Sequence, residues 1–88
     1  APSSPVGAIR PVAAFQAGAS AQSRGAALRK RAVEYAKTGD FTSARAVFEQ
    51  ARQQIPRDCD LLVDYGYALY LAGDYPYAEK MLRLSLQY

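Results

Sequence analysis

Histidine and tryptophan are absent from this chain of 88 residues, and cysteine and methionine occur once each. Without an imidazole, and with carboxylates scattered among turn positions, no set of nucleophile, base and orienting group can be assembled. The lone Cys59 cannot close an internal disulfide and has no second thiol with which to hold a metal. It reads as a small residue, buried or half-buried, at the start of a helix. No glycine loop of the phosphate-cradling kind occurs either. The expectation is a chain that is not an enzyme, with no cofactor, no metal and no small-molecule substrate. Long apolar runs are missing too: Leu69-Tyr70-Leu71-Ala72 falls far short of the roughly 20 residues needed to cross a bilayer, so no transmembrane span is expected.

Acidic residues are missing from residues 1–24, a stretch rich in Ala, Ser, Gly and Pro with no sustained hydrophobic period. Pro2, Pro5 and Pro11 exclude regular helix from its first half, and only a weak helical turn between Ala13 and Ser23 fits the rest. The segment reads as an extended low-complexity arm. Its composition is similar to the tail of a processed targeting segment, which would place the protein in a plastid or mitochondrion; a fragment boundary accounts for it equally well. The net charge of +3 hides a gradient: residues 1–57 carry nine bases against Glu34, Asp40 and Glu49, whereas residues 58–88 carry Lys80 and Arg83 against five acids. A gradient of this kind orients encounters with partners.

What the chain does have is a repeat. Gly39-Asp40-Phe41 returns as Gly73-Asp74-Tyr75, 34 residues later, between matching apolar patterns. Leu28, Ala32, Tyr35 and Ala36 form one stripe of a helix that stops at Gly39. Asp40 is placed to cap the next helix, whose apolar face is Phe41, Ala44, Val47, Phe48 and Ala51, and which ends before Pro56. Asp58 caps a third helix through Leu62, Tyr65, Gly66 and Leu69, and a fourth begins near Tyr75, where Pro76 is harmless in the first turn. The fold class is therefore all-α, two helical hairpins at 25–57 and 58–88 behind the arm at 1–24, with the second hairpin open to continuation. Close packing requires small residues opposite large ones, so Ala32 and Gly66 give room while Tyr35, Phe48 and Leu82 fill it. Two hairpins fall below the three or so that a helical array needs to stand alone. More chain, the arm or a partner must supply the rest.

These residues resemble tetratricopeptide repeats. Leu28, Ala32, Tyr35, Gly39, Phe41, Ala44, Phe48, Ala51 and Pro56 meet the family pattern in the first unit. Leu62, Gly66, Gly73, Tyr75 and Ala78 meet it in the second, where Leu69 and Leu82 replace aromatics and Ser85 replaces an alanine. The resemblance covers about residues 25–88. It implies a right-handed α-solenoid whose first helices line a concave groove that holds peptides or partner helices. Family members that grip the acidic C-terminal tails of heat-shock chaperones use a lysine and asparagines there. In this chain Arg29 offers a cation, Val33 stands where asparagine is expected, and Asp64 and Tyr67 occupy the matching region of the next repeat, a departure from that clamp.

Seven tyrosines, five of them between Tyr65 and Tyr77, suit a contact surface, because a phenol brings large apolar area with a polar tip. Tyr65 and Tyr75 are assigned to the hairpin core. Tyr67 and Tyr70, with Val63 and Leu71, are expected to form a partner-contact patch, joined by Arg29 and Val33 from the first helix; the competing reading packs those tyrosines on the preceding helix or the arm. Met81, Leu84, Leu86 and Tyr88 are expected as an apolar end of the last helix that nothing covers. Arg29-Lys30-Arg31 points three ways around a helix and lacks interleaved aromatics, so nucleic acid is an unfavoured partner. The leading expectation is a protein-interaction module, an accessory subunit or assembly factor among the other proteins of a larger assembly. A purely structural subunit is the alternative, and a nucleic-acid adaptor a further one.

Overall fold

Residues 21–88 are described by the computed structural model, and they are all-helical, without a strand. Helix α1 runs through residues 21–37, α2 spans Phe41–Gln54, α3 spans Cys59–Ala72 and α4 spans Tyr75–Ser85. The arm expected over 1–24 lies outside the described residues as far as residue 20. Its last four residues, 21–24, are helical and already part of α1, which corrects the start expected at Gly25. Gly25 itself is inside the helix and buried against the end of α2, where a methyl group in its place would sit 2.6 Å from the Ile55 side chain.

The two Gly-Asp turns share the same pair of closing bonds. At the first, the Asp40 amide donates to the Tyr35 carbonyl and the Gly39 amide to Ala36. At the second, Asp74 donates to Leu69 and Gly73 to Tyr70. Both glycines take positive φ, 84° and 90°, which a side chain would resist. The aspartate then turns from ending one helix to starting the next: Asp40 accepts from the Ser43 amide and Asp74 from the Tyr77 amide, while Asp58 accepts from Leu61 at the start of α3. Arg45 of α2 pairs with Asp74 at 3.0 Å and so ties the first hairpin to the turn of the second.

The core follows the apolar stripes. Ala32, Ala44, Phe48 and Ala51 meet Leu61, Leu62, Tyr65 and Leu69, all nearly devoid of solvent contact. The Phe48 and Tyr65 rings stack with centroids 4.8 Å apart, and Tyr77 meets Tyr65 edge-on at 5.8 Å. Both phenols donate to one carboxylate oxygen of Glu49, Tyr65 at 2.6 Å and Tyr77 at 2.8 Å. Arg52 reaches both Glu49 and the Tyr77 hydroxyl from one turn further along α2. One residue of α2 thus holds a residue of α3 and a residue of α4.

Two assignments need correction, and a third is met with part of its surface left open. Tyr75, expected in the core, is largely exposed, because it opens α4 on the side away from α2. Cys59, expected to be buried or half-buried, stands exposed at the first position of α3. Leu82 does fill the space left by Gly66, and 39% of it stays exposed, since none of the helices among the described residues lies over it.

Burial pushes the Glu49 carboxyl upward, yet the bonds from Tyr65 and Tyr77 and the Arg52 charge outweigh it, leaving the group below its ordinary 4.5. Tyr65 and Tyr77 are both pushed above the ordinary 10.0, first by burial and then by the bond to Glu49 and its negative charge. A depressed carboxyl contributes stability that is complete above its unfolded value and is lost as pH falls through the folded one; a raised phenol contributes stability that is complete below pH 10 and is lost above it. Urea midpoints should therefore be flat between about pH 6 and pH 9 and fall on both sides. Glu49→Gln should remove Glu49's share of the acid limb, and an unchanged acid limb would place the titration elsewhere.

At Gly66 an added Cβ would lie 2.7 Å from Leu82 Cγ and 3.3 Å from the Ala78 carbonyl. Gly66→Ala gains about 1 kcal/mol of helix propensity but presses on the branch carbon of Leu82 and approaches the Ala78 backbone, so it should lower the melting temperature, though less than a larger side chain does. Gly66→Leu has to wedge α3 from α4 and should cost about 1–3 kcal/mol; a thermal melt that does not move would be incompatible with this helix contact.

Candidate functional site: a groove between the first and third helices

Helices α1 and α3, the first members of the two hairpins, enclose a cleft of about 170 Å³. Val33 and Ala36 of α1 face Tyr67, Ala68 and Leu71 of α3, with Phe48 of α2 reaching the floor. Lys37 and Asp64 supply its charged rim. The lining is apolar at its centre and polar at its edge, the usual make-up of a contact surface. Tyr67 is 61% exposed, and its ring stands over the cleft instead of being spent in the core. The chemistry of this lining is that of shape, apolar area and hydrogen bonding, without a nucleophile or a base.

The structure brings three of the six expected contact residues together: Val33, Tyr67 and Leu71. Val63 is exposed one turn before Tyr67 on α3 but does not line the cleft. Arg29 is engaged, its guanidinium 2.7 Å from Asp64 in a bridge between α1 and α3. A cation already paired in this way lacks the freedom that a clamp for a carboxylate tail needs, in keeping with Val33 standing in place of asparagine. Lys37, by contrast, makes an exposed contact to Glu34 at 3.3 Å, and it was missed because a lysine at a helix end carries no periodic signal.

Tyr70 leaves the group. Although only three positions from Tyr67, it turns toward α4, where its ring meets Tyr75 at 5.4 Å. With Tyr75, Leu82 and Leu86 it borders a second, wider cleft of about 490 Å³ at the far end of the molecule. This corrects the composition expected for the uncovered end. Met81 is fully buried, because it faces back into the core. Leu84 is partly buried against the same core, and Tyr88 lies under Arg57, whose guanidinium is 5.9 Å from the ring centroid. Of the four expected residues Leu86 and Tyr88 are exposed, at 86% and 55%, and of these Leu86 borders the cleft. Tyr75 and Leu82 were missed as surface residues because their first-hairpin counterparts, Phe41 and Phe48, are covered by α3.

Residues 35–88 match the family model described as tetratricopeptide repeat. The chain belongs to the tetratricopeptide repeat family. Comparison with curated proteins and with solved structures gave no match. Tetratricopeptide repeats generally mediate protein–protein interactions and are typically non-catalytic. Among the described residues no helix is long and apolar enough to cross a membrane, and no group of three or more metal-ligating side chains occurs.

The division between core and surface tyrosines has a direct thermodynamic readout. Tyr67→Ala and Tyr75→Ala should each change the unfolding free energy by less than about 1 kcal/mol, whereas Tyr65→Ala should cost about 3–5 kcal/mol. Comparable losses at all three, measured by chemical denaturation, would contradict the burial pattern.

Proposed function

We propose that this protein is an interaction module that serves as an accessory subunit or assembly factor of a multiprotein complex, holding a segment of a partner chain in the groove between α1 and α3. The reading is carried by the exposed Tyr67 ring standing beside Val33 and Leu71 over an apolar floor. A partner side chain placed there would remove apolar area from water on both surfaces, and the rigid helices limit the entropy lost on contact. Lys37 and Asp64 at the rim set polar register and partner choice more than strength. The triplet Arg29-Lys30-Arg31 gives little support to a nucleic-acid role, since Arg29 is turned into the bridge to Asp64.

Affinity purification from the source cells, followed by mass spectrometry, tests the reading with the parent chain, Tyr67→Ala and Leu71→Asp. Both substituted residues are exposed, so circular dichroism should show intact helices. A partner retained by the parent should be lost or weakened at least tenfold by each substitution. Equal retention by all three chains would exclude the groove as the contact surface and favour a purely structural role.

A further inference from the structure

The groove and the entry of the chain into α1 lie along one line. The Gln22 side-chain amide donates to Asp58 at 3.3 Å, and further along both helices Arg29 meets Asp64 at 2.7 Å. Helices α1 and α3 therefore run side by side in the same direction, and the cleft lined by Val33, Ala36, Tyr67 and Leu71 comes next along that direction. A chain that enters α1 at residue 21 thus arrives beside the first turn of α3, at the foot of the pair. From there Val33 stands about 18 Å up α1, and Tyr67 about 14 Å up α3 from Asp58.

The residues that precede α1 in sequence suit that cleft. Residues 11–20 carry no charge of either sign, and Phe15 is the only aromatic residue among residues 1–20, with Val12 one position before Ala13-Ala14. Laid on the apolar floor, this stretch takes no charge out of water. The carboxylate nearest to it, Asp64, is already held by Arg29. Reach is sufficient as well: Phe15 is six residues from the start of α1, and six extended residues cover about 20 Å. Gly18 lies within that span, where a reversal of the chain costs least. So short a tether gives the ring an effective concentration of about millimolar order at the cleft, and a contact too weak to join separate molecules is then occupied within one.

We propose that Phe15, followed by Val12, seats in the cleft between Val33, Tyr67 and Leu71, so that the chain covers its own groove and a partner segment has to displace it. The apparent affinity for that segment is then lowered in proportion to the fraction of molecules whose groove stands open. The displacement rests on the function proposed above. The seating itself does not, because it is made within one molecule and is observed with no partner present.

The test is nuclear magnetic resonance on the isotope-labelled full chain, comparing the parent with Phe15→Ser. In the parent, nuclear Overhauser effects should join the Phe15 ring to the methyl groups of Val33 and Leu71. Phe15→Ser should shift those methyl resonances and leave that of the buried Met81 in place. Absence of these effects, methyl resonances that do not move, or contacts from Phe15 to Ile55 or Leu86 in place of the groove would overturn the proposal. So would contacts that vanish on dilution, since a second copy would then supply the ring. In affinity purification, a partner whose retention depends on Tyr67 and Leu71 should be held roughly threefold or more better by Phe15→Ser than by the parent; equal retention would overturn the displacement. A partner insensitive to Tyr67→Ala and Leu71→Asp, with the Phe15 contacts present, would remove the function proposed above and leave the seating of Phe15 supported.

Discussion

The seat of Tyr65 decides the geometry of the whole. Its ring needs an apolar surface, which Phe48 offers at 4.8 Å, and its hydroxyl, taken out of water, needs an acceptor, which Glu49 supplies at 2.6 Å. Both demands are met by adjacent residues of α2, so the position and rotation of α3 on α2 are fixed together. A buried phenol without a partner would cost about 1–3 kcal/mol, and any sliding of α3 by one turn would incur that loss. Because Tyr77 donates to the same Glu49 oxygen, α4 is referred to the same point. The hairpins do not merely touch; they share one acceptor.

That arrangement explains why a repeat can be strict in its turns and loose in its faces. The Gly-Asp turn recurs with the same hydrogen bonds because backbone satisfaction leaves few alternatives: a positive-φ residue to end one helix, a short acceptor side chain to start the next. Side chains on the helix flanks face no such limit. Phe48 is replaced by Leu82 and Ala51 by Ser85 while α2 and α4 start at equivalent residues, Phe41 and Tyr75, and what changes is the surface that each hairpin shows to its next neighbour.

For the same reason the architecture could be read from the chain and the surface only in part. Helix ends are local, written in Gly39, Asp40, Asp58 and Gly73, and their positions follow from a few adjacent residues. Burial is not local. Tyr65, Tyr67, Tyr70 and Tyr75 have the same side chain, yet one is core, one lines the groove and two border the end cleft; the difference lies in which neighbouring helix is present. Met81 illustrates the converse. At the last helix of a chain it looks uncovered, but its direction on α4 takes it back toward the core, while Leu82, one residue on, faces outward. The Arg29 to Asp64 bridge could not be found from spacing either, since its two ends belong to different hairpins.

Helix α3 borders both the groove and the end cleft. It presents Tyr67 and Leu71 to the groove beside α1, and Tyr70 to the cleft beside α4, within two turns of one rigid rod. A ligand in either place meets side chains already held by the core, so occupation of one has no loose element through which to reshape the other. A contact surface of this kind needs stiffness, apolar area and charge order, and none of these calls for the imidazole that the sequence lacks.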